Sequence, residues 1–368
     1  MKPIYLDYAA TTPLDPAVLD AMTPWLAVKF GNPHSPHLWG YEADAAIAVA
    51  RGQVAAMLDV AAETIAFTGG ATEAVNWALK GVMTAPSQTR RRLVMLATEH
   101  SCVLETAKWL ESIGCGLTVV GVGRDGIVDL DELGAALGGD VALVSAMLVN
   151  NETGVIQPVA AIAALAHAAG ALMHCDAAQG FGKVDATGLG VDLLSVSGHK
   201  IYGPKGVGAL YRRPGVELTP LLHGGGQEDG RSGTLAPALC VGLGAASASA
   251  AAGFVSGAAH VRLLCDSFLS GLDVPFTVNG SFDRRWPGIL NLTFDVDATR
   301  LLAATRDLAI STGSACASTS GRPSHVLAAM GLDNGVRISW GRFTTVAEID
   351  TATATLNAVM RRLGAKAA

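Results

Sequence analysis

Short apolar runs alternate with longer amphipathic stretches through the first two-thirds of the chain. Residues 64–67, 93–97, 117–122, 141–149, 172–175, 193–196 and 207–211 read as strands, each brief, apolar and bounded by polar residues or glycine. Between them, residues 72–80, 101–111 and 159–169 carry apolar positions at helical spacing. Strand and helix in alternation predict an α/β layer structure, because a crossover helix returns the chain to lay down a mainly parallel sheet. The run 141–149 is apolar at nearly every position, as a strand covered on both faces must be.

The texture changes after a charge-free stretch. From 235 to 259 no residue is charged, enough length to span a bilayer on paper. Yet the stretch is mostly Ala, Gly and Ser with Pro237 near its start, which predicts a tightly packed internal helix. The later apolar runs 289–294 and 336–339 lie among less regular loops and helices. The predicted organisation is a large domain over 12–250, and a smaller α+β domain built from 1–11 and 251–368.

Composition narrows the function classes. The chain has 368 residues, 50% hydrophobic and 16% charged, which marks a globular protein able to bury a sizeable core. A net charge of -6 argues against nucleic acid as a partner, since that would need a basic patch. Asp7 and Pro13 interrupt the N-terminal apolar stretch too early for a signal peptide. No membrane association and a cytoplasmic location are therefore expected. The six cysteines include no CxxC pair, so neither a zinc ribbon nor a dithiol redox motif is expected, and reduced thiols are.

Several predicted strands end in polar clusters, where ligands of open α/β sheets bind. The first ends in "TGGATEA", glycines running straight into a helix whose N-terminal amides suit a phosphate. Others end in "TEH" with Ser101 placed as a cap, in "NNETG" and in "HCDAAQ". Each alone could be a loop end; four at one sheet edge point to a site. The segment "SVSGHKIYGPKG" adds Lys200 just beyond a buried strand, followed by a rigid Gly/Pro turn. Burial lowers a lysine's proton affinity, which a nucleophilic amine requires. A lysine, an aspartate on a neighbouring strand and a phosphate cradle are the apparatus for pyridoxal phosphate.

The motifs "YLDYAATTP", "TGGATEAVN", "ATEH", "VNNETG", "CDAAQ", "SVSGHKIYGPKG", "HGGGQEDGRSGT", "STGSACAS" and "VRISWGRFTT" occur in that order along the chain. Together they resemble the group I (NifS/IscS-type) cysteine desulfurases, in the class V branch of the fold-type I pyridoxal phosphate enzymes. The resemblance covers essentially the whole chain. It implies that Lys200 carries the cofactor and that Asp176 pairs with its ring nitrogen. His100 would stack on the ring and shuttle protons, and Asn151 and Gln179 would bond the ring hydroxyl. Ala71, Thr72, Ser197 and His199 would hold the phosphate, joined by Thr234 reaching across from the other subunit of a homodimer with shared active sites. Arg337, with Asn32 as a weaker candidate, would hold the substrate carboxylate. On this reading L-cysteine loses its Cα proton to the Lys200 amine or to His100, and the Cys316 thiolate attacks the substrate sulfur. A persulfide on Cys316 and L-alanine result.

The same resemblance implies a sulfur acceptor or iron–sulfur scaffold protein as partner. No intrinsic metal site is expected, with Cys316 a candidate transient cluster ligand. Three features depart from the housekeeping pattern: only 20 residues between Cys316 and Arg337, an "EDGRSGT" segment one residue short, and an end at "VMRRLGAKAA" without the scaffold-docking extension. A NifS-like role therefore stands beside the housekeeping one. Selenocysteine lyase or another class V reaction, and a non-catalytic sulfur-relay paralogue, are the alternatives. Cys102 and Cys175 read as small buried hydrophobes, and His34 and His37 as either surface residues or part of the site mouth. The small residues of "STGSACAS" predict a loop that lets Cys316 visit both cofactor and acceptor.

Overall fold

The computed structural model describes residues 3–313 and 324–364. Cys316 and most of its "STGSACAS" loop, with the motion predicted for it, lie outside the described residues.

The chain opens with β1 (Ile4–Tyr5), α1 (Pro16–Ala27) and α2 (Leu38–Ala56). It continues through β2 (Ile65–Thr68), α3 (Ala71–Met83), β3 (Arg92–Leu96), α4 (Ser101–Ser112), β4 (Gly116–Val120), α5 (Leu130–Ala136) and β5 (Val141–Met147). Next come α6 (Val159–Ala168), β6 (Leu172–Asp176), β7 (Leu193–Ser197) and β8 (Gly208–Arg212). These strands form a seven-stranded sheet in the order β2-β8-β7-β6-β5-β3-β4. Only β8 runs against the rest, pairing antiparallel with both β7 and β2. The link from β7 to β8 is too short for a crossover helix, so the chain has to turn back. All seven residues of β5 are buried, as its apolar run predicts.

The predicted internal helix is instead two: α7 (Pro237–Ala252) and α8 (Phe254–Gly271), bent by 74°. Gly253, with the lowest helix propensity of the ordinary residues, ends the first. Among the described residues no single helix is long and apolar enough to cross a membrane. Small residues let α7 approach α2 closely: a Cβ on Gly244 would lie 2.6 Å from the Ala50 Cα. Facing it, α2 buries Ala43, Ile47, Ala50 and Val54 at helical spacing.

The remainder comprises β9 (Phe276–Val278), β10 (Ile289–Phe294), α9 (Ala298–Ala304), β11 (Leu308–Ala309), α10 (His325–Ala329), β12 (Val336–Ser339) and α11 (Val346–Arg362). A three-stranded antiparallel sheet runs β12-β10-β9, and β1 pairs in parallel with β11. The N-terminal segment thus joins the C-terminal part before crossing to the large sheet, where Thr12 N–H donates to the His199 carbonyl at 3.0 Å.

Candidate active site

Strands β2, β3, β5, β6 and β7 all point their C-terminal ends at one edge of the large sheet. A cavity of about 810 Å³ lies there. The first contributor is the turn from β2 into α3. Gly70 adopts φ +148°, open to glycine alone, and Gly208 beside it has no room for a side chain, since a Cβ would meet the Gly70 carbonyl carbon at 2.7 Å. This close approach brings the N-terminus of α3, with Ala71 and Thr72, onto the cavity wall.

Beyond β7 the chain makes one 3-10 turn, Gly198–Lys200, which turns Lys200 into the cavity. Its Nζ donates to the carbonyls of Ala9 and Ala10 at 2.6 and 2.8 Å. Burial, and next the nearby Arg337 charge, pull the amine down to about 8. Burial likewise pulls the neighbouring His199 down to about 4, and its Nδ1 lies 3.1 Å from Thr11 Oγ1.

Asp176 ends β6, buried, with Ala178 N–H donating to Oδ1 at 2.9 Å. Burial raises its proton affinity against the opposing pull of His100 and Lys200. It forms no salt bridge among the described residues. Next to it Glu99, wholly buried after β3, is pushed up to about 8 by burial and then by the Asp176 charge. Glu99 accepts from Met147 N–H at 2.6 Å. His100 caps α4, its Nδ1 accepting from Cys102 N–H at 3.2 Å. Arg337, on β12, is 2% exposed; it donates to Asp7 Oδ1 at 2.8 Å and to the Asn151 carbonyl at 3.0 Å.

A family model described as "Aminotransferase class-V" matches residues 4–351. The curated cysteine desulfurase IscS of Rickettsia bellii is 46% identical over 365 residues, covering 95% of this chain and 89% of its own. The chain belongs to the class V aminotransferases, within their cysteine desulfurase group. Solved structures agree. A NifS-like protein superposes with a TM-score of 0.91 at 35% identity, covering 98% of this chain and 99% of its own. One described as SspA in complex with cysteine does so at 0.83 and 37%, covering 93% and 99%. The fold is accordingly the fold-type I architecture of this pyridoxal-phosphate-dependent family.

Of the residues singled out in the sequence, the cavity gathers Ala71, Thr72, His100, Asn151, Asp176, Gln179, Ser197, His199, Lys200 and Arg337. Two of the described candidates lie elsewhere. Asn32 is exposed, its Oδ1 accepting from His34 N–H at 3.0 Å, and Thr234 is exposed and off the wall of its own chain's cavity. His37 caps α2, and His34 is exposed. The cavity fits pyridoxal phosphate. A helix N-terminus, Ser197 and His199 supply phosphate donors, and a deeply buried Asp176 that forms no salt bridge among the described residues suits a protonated ring nitrogen.

Sequence reasoning missed Asp7, Glu99 and the Ala9 and Ala10 carbonyls as parts of this site. "YLDYAATTP" and "ATEH" flagged those segments, but no local pattern reveals pairings across 190 residues of chain.

Proposed function

We propose that the chain is a pyridoxal-phosphate-dependent cysteine desulfurase that moves sulfur from L-cysteine onto Cys316 and releases L-alanine. The observation that carries this reading is the Lys200 amine, held on two backbone carbonyls in one cavity with Asp176, His100 and Arg337. Bound there, the cofactor would supply an electron sink for the pair left at the substrate Cα.

The chain's own groups do the rest. The α3 N-terminus, Ser197 and His199 would hold the phosphate, and Asp176 would pair with the ring nitrogen. Asn151 and Gln179 serve the ring hydroxyl. Arg337 receives the substrate carboxylate; its Nε is buried and has no partner among the described residues, while its two outer nitrogens are fixed on Asp7 and Asn151. Lys200, its proton affinity already lowered, takes the Cα proton. His100 has Nδ1 occupied as an acceptor, so its hydrogen sits on Nε2 and it enters as a donor. Cys316 accepts the sulfur as its thiolate.

The same reading extends to a homodimer, since an exposed Thr234 off its own cavity suits a residue serving the partner's site. The described cysteines Cys102, Cys115, Cys175, Cys240 and Cys265 are free thiols, in keeping with a reducing compartment such as the cytosol. The persulfide then passes to an acceptor for iron–sulfur assembly or other sulfur transfer. The test adds L-cysteine and a reductant to the holoenzyme and measures alanine and sulfide. Equimolar release, lost in Cys316→Ala, is expected; equal sulfide from that variant would overturn the role of Cys316.

A further inference from the structure

Cys102 is more than the small buried hydrophobe its sequence context predicts. It is only partly buried and lies on the wall of the active-site cavity. Its Sγ is 3.1 Å from His100 Nδ1, the same atom that accepts from its own backbone N–H at 3.2 Å. A sulfur that close to a ring nitrogen shares a proton with it, and burial keeps this thiol protonated, beside the Asp176 and Glu99 carboxyls. The proton of the contact therefore belongs to sulfur, and Nδ1 accepts from two donors at once.

We propose that Cys102 is a positioning residue for His100: its thiol donates to Nδ1 alongside the backbone N–H, and so holds the imidazole neutral, with its hydrogen on Nε2. Protonating Nδ1 would set an N–H against the fixed backbone donor and oblige the thiol to turn its S–H away and accept weakly through sulfur, so both contacts favour the neutral ring. The backbone donor survives in Cys102→Ala, whereas the thiol donor does not. This separates the two contributions. Other groups also face the ring. Asp176 from β6 and Glu152 from the loop after β5 favour the imidazolium; Lys200 after β7 and His325 of α10 disfavour it, as burial does. None of these charged groups is altered by replacing residue 102, and Cys102→Ser controls for the change in burial.

The inference rests on the active-site reading of His100, but its test does not need turnover. Nitrogen-15 histidine NMR on the holoenzyme reports both the tautomer of His100 and its titration midpoint. Wild type is expected to show hydrogen on Nε2. In Cys102→Ala the tautomer persists and the midpoint rises by about half a unit, roughly a threefold gain in proton affinity. Cys102→Ser keeps a donor and keeps the wild-type midpoint. An unchanged midpoint in Cys102→Ala would overturn the proposal, as would equal shifts in both variants, which would assign the effect to side-chain volume. The acid limb of kcat/KM for desulfuration should move to higher pH with the Cys102→Ala midpoint. A wild type that releases no sulfide would defeat the desulfurase reading while leaving the NMR result to decide this one.

Discussion

Two regions of this molecule bury charge, and they do so in opposite ways. Near the start of β2, Arg51 of α2 donates from both terminal nitrogens to both oxygens of Glu228, at 2.7 and 2.6 Å. Phe67 N–H donates to the same carboxylate at 2.7 Å, and the guanidinium lies 4.9 Å from the Phe67 ring centroid. Burial works against the Arg51 charge, yet the hydrogen bonds to Glu228 outweigh it and raise its proton affinity. At the far edge of the sheet, the hydrogen bonds among the described residues give Lys200 two carbonyl oxygens and Asp176 one backbone amide. Both shift toward their neutral forms. A saturated ion pair holds elements together; an unsaturated set is poised to take a charged ligand.

That contrast can be broken by substitution. Lys200→Ala should reduce desulfuration at least about a hundredfold, the scale of losing a positioned base, while leaving thermal unfolding near wild type. Steady-state kinetics and calorimetry on one preparation check both halves. Glu228→Ala should do the reverse. It strands the Arg51 guanidinium and should lower unfolding free energy by about 3 kcal/mol in urea titrations, with residual folded enzyme still turning over. A loss of turnover without destabilisation would undo the distinction.

Smaller effects sharpen it. Arg337→Lys keeps a charge but loses the planar fork, and should raise KM for L-cysteine about tenfold with a lesser change in kcat. Glu99 sits between the two classes, buried and held protonated by its surroundings. Its folded value is raised to about 8, so its stabilising protonation is complete below the unfolded value of about 4.3 and is lost as pH rises through about 8. Glu99→Gln removes that slope. Its melting temperature relative to wild type should therefore climb from about pH 5 to about pH 8.5, by a few degrees at most. A flat difference would mean that Glu99 is ionised in the folded protein.

Much of this was legible beforehand because the chemistry sits where local patterns change. Each strand end that feeds the cavity is a switch from apolar run to glycine or polar cluster, as in "TGGATEA" and "SVSGHKIYGPKG". The large sheet followed from alternation alone. What stayed hidden is long-range. Nothing near Lys200 reveals that Ala9 and Ala10 hold its amine, or that Asp7 is the Arg337 partner. The break at Gly253 was masked by a charge-free composition that stays continuous through it. Asn32 and Thr234 were nominated by resemblance alone, and each lies outside the cavity in a single chain.

Lys183 offers the sharpest internal control, because burial lowers its amine as well, to about 7, while its Nζ donates to Gln179 Oε1 at 2.9 Å. It lines a neighbouring apolar cavity and is not on the wall of the candidate site. Proton affinity alone would nominate either lysine; geometry selects Lys200. Borohydride reduction of the cofactor-loaded enzyme, followed by peptide mapping, reads the choice directly. The account predicts the pyridoxyl group on Lys200 alone, and finding it on Lys183 would contradict it.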